Sequence, residues 1–158
     1  MKKIPLTKGM FALVDDADYE WLNQWKWYAM KVRNTFYAVR GCCQSGKYEL
    51  ILMHREILKA LPNEKTDHRN HNGLDNQRGN LRTCTNTTNQ YNQQPQKGRS
   101  SQFKGVSWHK SHLKWEAYIM KDSKNYHLGH YVSEIDAAKA YDKAAIKYFG
   151  EFAYLNLA

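Results

Sequence analysis

Between Asn63 and Ser101 the chain carries hardly any apolar side chain, and that gap decides how everything else can fold. Residues 63 to 83 are rich in Asn, Asp, His, Arg and Gly. Asn86 to Ser101 is dominated by Asn, Gln, Thr and Ser, with Pro95 and Gly98. So many amides and charges cannot run through the middle of one core, because each buried polar group needs a partner. At 158 residues the chain can hold one ordinary domain or two small ones, with this polar stretch between the apolar parts. There is enough apolar material: 42% of residues are hydrophobic, with five Trp and eleven Tyr to fill compact cores.

The first 60 residues read as an α+β unit. Phe11 to Val14 has the look of a strand, and Asp16 to Gln24 of a helix with acids in its first turn and Tyr19 and Leu22 three apart. Trp25 to Val32 and Phe36 to Arg40 alternate large and polar residues, with Asn34 as the turn between them. Tyr48 to His54 reads as a further strand, and Arg55 to Leu61 as a short helix stopped by Pro62. The beginning of the Asn86 to Ser101 tract is compatible with a helix, and its remainder with a linker.

A second unit starts near Phe103. Lys104 to Lys110, Lys114 to Lys121 and Asn125 to His130 are strand candidates, and Asp122-Ser123-Lys124 is a natural turn. Ser133 to Phe149 is a helix, started by the Ser133/Asp136 pair and stopped at Gly150. Ala137, Ala138, Tyr141, Ala144, Ala145 and Tyr148 share one of its faces. Trp115 and Tyr141 are expected in the core, whereas the placement of Trp108 is open. The formal charge of +9 favours a polyanionic partner. It is unevenly spread: residues 103 to 130 hold five lysines against Glu116 and Asp122, while residues 131 to 158 hold three against four acids. The basic side of this unit is its sheet.

Other classes find little support. No apolar run approaches the length of a membrane span, and Met1-Lys2-Lys3-Ile4-Pro5 leads into none, so neither a membrane partner nor a signal peptide is expected. Cys42, Cys43 and Cys84 form no C-x-x-C pair and read as reduced thiols of a cytoplasmic protein. A zinc-stabilised structural protein would need closely spaced Cys/His ligands, which these cysteines do not supply.

Within the polar gap, Asp67 stands directly before His68. That places an oxygen donor for a hard cation beside a base that titrates near neutrality, the pairing needed to activate water against a phosphodiester. Taken alone, an Asp-His pair in a polar loop is more often a turn. The wider pattern is more specific: Leu52-Met53-His54-Arg55-Glu56-Ile57, Asp67-His68-Arg69-Asn70, Leu74-Asp75-Asn76, Asn80-Leu81-Arg82, Asn89 and Asn92. It resembles the His-Asn-His homing endonucleases of phage type. The resemblance implies a ββα-metal fold in which Asp67 and Asn89 hold a divalent cation, His68 is the general base and Asn80 braces the hairpin beneath it. Asn89 stands where many relatives carry a second histidine, which favours Mg²⁺, with Mn²⁺ as the alternative, over zinc. His71 is expected at the surface and His54 in a packed role. Arg69, Arg78 and Arg82 are candidate phosphate contacts, weighed against plain solvated loop arginines.

The second unit has landmarks of its own: Phe103-Lys104-Gly105-Val106, Lys114-Trp115-Glu116-Ala117, Leu128-Gly129, Ala137 to Ala145, and Gly150 to Asn156. In that order they resemble the ethylene-response-factor (Apetala-type) DNA-binding domains. The resemblance implies a three-stranded antiparallel sheet laid in the major groove and backed by the helix. Lys104, Ser107, His109, Lys114, Tyr118, Met120, Asn125 and His127 are then the candidate DNA contacts. Most of the corresponding positions in plant proteins carry arginine or tryptophan, so the target sequence cannot be borrowed from them.

The expectation is therefore a nuclease domain at 1–90, a linker at 91–102 and a DNA-binding domain at 103–158. It would act on double-stranded DNA, as a monomer rather than a dimer, in the cytoplasm of a bacterium or phage-infected host. The rival is a DNA-binding regulator with an inactive nuclease core.

Overall fold

The computed structural model describes residues 1–33, 35–44, 46–96 and 98–157. The turn expected at Asn34 lies outside the described residues. The chain is α+β, built from several small antiparallel sheets and few helices, and divides into two units, Met1–Asn86 and Thr87–Ala158.

In the first unit β1 (Lys2–Pro5) and β2 (Phe11–Val14) form a hairpin. Strand β1 was not expected, because a stretch of four residues is too short to show a strand period. Helix α1 (Asp16–Asn23) follows. Then comes a meander of β3 (Tyr28–Val32), β4 (Thr35–Gln44) and β5 (Lys47–Leu52). The last strand ends earlier than expected, because α2 (Met53–Leu58) already begins at Met53. Met53, His54 and Ile57 are all buried there, a helical and not an alternating pattern. The helix also stops before Pro62: Lys59, in the left-handed conformation, returns its backbone N–H to Arg55 and Glu56. A second hairpin pairs β6 (Lys65–His68) with β7 (Leu81–Cys84). The core joins Ile4, Val14, Leu22, Trp27, Ala29, Ala38, Met53, Ile57 and Leu81, so every strand and helix of this unit named above except β5 and β6 contributes a side chain to it. At its rim Arg40 donates Nη2 to Glu56 Oε1 at 2.6 Å and lies over the Trp25 ring at 4.3 Å.

The second unit begins within α3 (Asn86–Tyr91). Strands β8 (Val106–His109), β9 (Lys114–Lys121) and β10 (Lys124–Tyr131) make a sheet ordered β10-β9-β8, and α4 (Glu134–Phe149) covers one face. The start of α4 is capped as expected, with the Ser133 hydroxyl accepting from Asp136 N, and Gly150 closes its end. Its buried face holds Ala137, Ala138, Tyr141, Ala144, Ala145 and Phe149; Tyr148 is only half-buried, one position off the stripe. Small alanines let the helix lie close on Val106, Ala117 and Ile119. Gly105 is required here: its φ is +71°, and a Cβ would strike the Tyr141 ring and the Tyr118 carbonyl.

Candidate active site and nucleic-acid interface

The polar loop between β6 and β7 is a built object. Leu13 of β2 donates its N–H to the Leu74 carbonyl and accepts from Asn76 N, both at 2.8 Å, so the loop extends the edge of the first hairpin. Asn side chains replace the strand ladder elsewhere: Asn70 Oδ1 accepts from Asn72 N and Asn72 Oδ1 from Leu74 N. Asn80 spans the loop, accepting from Asn70 N at 3.0 Å and donating Nδ2 to the Asp75 carbonyl at 2.7 Å. His71 is half-buried and takes a positive φ of 62° as its N–H bonds back to His68.

This frame holds His68 at the end of β6, 6% exposed. Its ring packs edge-on to His54, with centroids 4.8 Å apart, and beside Tyr37 at 5.8 Å. Its Nε2 lies 3.3 Å from Asn76 Oδ1. An amide oxygen accepts only, so Nε2 carries the proton and Nδ1 keeps its lone pair. Burial holds the His68 pKa below the usual histidine value, opposed by the Asn76 bond and by the charges of Asp67 and Asp75. His68 is therefore neutral at neutral pH, with its proton affinity lowered by burial. His54, equally buried, is pushed down to about 3 by burial and by its neighbours His68 and Arg55.

Asn76, to which the sequence reading gave no role, lies against His68. It is completely buried, its Oδ1 meets His68, and its Nδ2 has no hydrogen-bond partner among the described residues. The only sequence hint was its place in the Leu74-Asp75-Asn76 run, which also reads as a turn former.

Two of the three loop arginines are engaged within this unit. Arg82, 6% exposed, brings Nε (3.0 Å) and Nη2 (2.7 Å) to Asp67 Oδ2. Arg78 forks onto Asp18, with Nε to Oδ2 and Nη2 to Oδ1 both at 2.7 Å, and holds that carboxyl below the usual range. Arg69 is exposed. Asn89 is half-buried on α3, in the second unit.

In the second unit the sheet register sorts the candidate DNA contacts. Val106 pairs with Ala117, and Ile119 with Tyr126, on the α4 side. The opposite face carries Ser107 across from Glu116, His109 across from Lys114, Tyr118 across from His127, and Met120 across from Asn125. Seven of the eight named residues thus share one outer surface. Lys104 does not. Its Nζ donates to the carbonyls of Gln90, Tyr91 and Gln93 at 3.1, 2.7 and 2.8 Å, closing the end of α3, and burial pulls its pKa down to about 8. Trp108 and Trp115 meet edge-on at 5.1 Å, with Trp108 at 39% exposure.

Over 155 residues the chain is 32% identical to an uncharacterised HNH endonuclease of Acanthamoeba polyphaga mimivirus, covering 94% of this chain and 76% of that protein. The chain belongs to the HNH endonucleases. Its second unit has separate kinship. An AP2 domain model matches residues 101–151 of this HNH endonuclease. APETALA2-like protein 2 of Oryza sativa subsp. japonica is 40% identical over 60 residues, 38% of this chain but 14% of the plant protein. The AP2-like ethylene-responsive transcription factor TOE2 of Arabidopsis thaliana is 37% identical over 60 residues, 38% of this chain and 12% of its own length. What the plant proteins share with the HNH endonuclease is the sheet-and-helix unit alone.

Proposed function

We propose that this HNH endonuclease hydrolyses phosphodiester bonds of double-stranded DNA with a single hard divalent cation, Mg²⁺ before Mn²⁺. In this reading β6, β7 and α3 are its ββα-metal element, and the sheet of the AP2 unit holds the enzyme on a site in the manner of a phage-type homing endonuclease. The observation that carries the reading is His68: a buried, neutral imidazole beside Asp67, with one ring nitrogen fixed by Asn76.

His68 takes the proton of the attacking water at Nδ1, because Asn76 occupies Nε2. The packing of His54 and Tyr37 against the imidazole fixes its plane, so little rearrangement is needed as the proton moves. Arg82 orients the Asp67 carboxylate. Asp67 is the cation ligand of the first unit, and the sequence resemblance alone assigns Asn89 as the second. A carboxylate and an amide oxygen are the donors a hard cation prefers, so this pair fits Mg²⁺. When bound, the cation supplies positive charge against the scissile phosphate and the leaving 3′ oxygen.

Nicking of supercoiled plasmid in Mg²⁺ tests this directly, with EDTA as control. Wild type should convert plasmids carrying a bound site, and His68→Ala should be slower by roughly 10²–10⁴-fold, the usual share of a general base, at unchanged DNA affinity. A wild-type chain that binds its site yet never cuts would replace this reading with that of an inactive DNA-binding regulator.

A further inference from the structure

The outer face of the AP2 unit gathers histidines that lie far apart in the sequence. His109 ends β8, and His112 follows in the β8–β9 turn. His127 and His130 lie on β10, three apart, so a regular strand would send them to opposite faces. The strand is not regular. The register jumps between His127 and Gly129, leaving Leu128 as an extra residue with Gly129 at φ +132°. The bulge restores parity: His127 stands across from Tyr118 and His130 across from Glu116, both on the outer face.

The result is a three-imidazole cluster. His112 Nδ1 and His130 Nε2 are 3.1 Å apart, and one ligand atom from each of His109, His112 and His130 lies within 4.8 Å of the other two. Two imidazoles on one zinc ion, at Zn–N of about 2.05 Å and a tetrahedral angle, would have nitrogens about 3.3 Å apart. The 3.1 Å separation is thus already close to that of two ligands on one ion. Glu116 Oε1 lies 3.4 Å from His127 Nε2, and this pair forms a second group around the shared His130.

We propose that His109, His112 and His130 form a binding site for a borderline-soft divalent transition ion of the zinc class, with a coordination position left for water or Glu116. Imidazole selects such ions over Mg²⁺, which prefers oxygen, so this site and the nuclease centre differ in the ion they take. The expectation of no zinc rested on the cysteines and on Asn89 standing where many relatives carry a second histidine. The histidines escaped it because only the sheet register and the bulge bring them together. The ion would sit among the residues assigned to DNA contact, replacing polar rings with a fixed cation.

The test uses untagged full-length chain in millimolar Mg²⁺, which keeps the nuclease centre from reporting. Zinc is titrated calorimetrically and by competition with a chelating dye. About one Zn²⁺ per chain should bind, and His112→Ala and His109→Ala should each weaken it by at least about tenfold, a loss on the scale of disturbing a metal site. His112 is exposed in a turn, so an unchanged melting temperature will show that the variant is folded. No zinc binding by wild type, or binding that the double variant leaves intact, overturns the proposal. Neither result bears on plasmid cleavage.

Discussion

The loop at 69–80 and the outer face of the AP2 sheet are both polar surfaces by composition, yet they spend their polar groups in opposite ways. In the loop and on the adjoining β7 they are turned on one another: Asn70, Asn72, Asn76, Asn80, Arg78 and Arg82 all bond within the first unit. On the sheet, Ser107, Lys114, Met120 and Asn125 are laid out side by side and at least partly exposed. The contrast fits two tasks. A base must have one tautomer and one direction, which only a crowded, satisfied setting enforces. A surface that meets DNA must keep its donors for a partner that arrives later, and burying them in internal bonds would defeat it.

If the loop is held by its internal bonds, breaking the deepest one should cost most. Arg82→Met leaves the Asp67 carboxylate without its charged partner in a setting where both side chains are at most 10% exposed. The expected loss is about 3–5 kcal/mol, the usual cost of orphaning one member of a buried pair. Urea unfolding followed in the first unit measures it. A loss under about 1 kcal/mol, the worth of a surface pair, would mean that water reaches Asp67 freely and the contrast between the regions is weak.

Asn76→Ala comes next. It removes the acceptor that fixes His68, and the orphaned ring N–H should destabilise the unit by about 1–3 kcal/mol. Well below the melting point, single-turnover cleavage should slow by roughly 10²-fold, as misplacement of a catalytic group does, while DNA affinity stays unchanged. A variant that lost affinity and rate together would make Asn76 a fold residue and not a positioning residue.

How legible was this site? Asp67 and His68 could be singled out only through the wider pattern with Asn80 and Asn89, since the adjacent pair alone reads as a turn. Asn76 could not, since its burial depends on Leu13 of β2 capturing the loop backbone from far along the chain. Arg78 looked like a phosphate contact because its partner, Asp18, lies sixty residues away. His54 was assigned to a strand by local alternation, whereas it is buried with Met53 and Ile57 at helical spacing. In the second unit the strands, the Ser133 cap and the alanine face were legible, because each is a local pattern with a fixed period. The bulge at Leu128 was not, as it breaks that period without any signal but Gly129.

The buried histidines sharpen the comparison through pH. His54 falls from an unfolded value near 6.5 to about 3 in the folded chain, so the unfolded state binds its proton first as the pH drops. The stability it confers is complete above pH 6.5 and is lost progressively towards pH 3, at up to about 1.4 kcal/mol per pH unit. His54→Phe should flatten that decline in the first unit. The second unit buries no histidine among its described residues and should be much less sensitive over the same range. Equal acid sensitivity of the two units, followed by separate tryptophan or NMR signals, would put the buried imidazoles out of account.

The smallest effect separates two lysines that sequence alone could not tell apart. Lys114 is exposed on the outer face beside His109, whereas Lys104 is tied to three carbonyls at the end of α3. A lysine that meets phosphate releases counterions, so Lys114→Ala should flatten the slope of log K against log salt by about 0.9. Lys104→Met should leave that slope unchanged and lower the melting temperature instead, because three carbonyls lose their donor. Should the two lysines change the slope equally, Lys104 must exchange its internal bonds for a phosphate on binding. The sheet would then share the economy of the loop in the free protein and abandon it only on DNA.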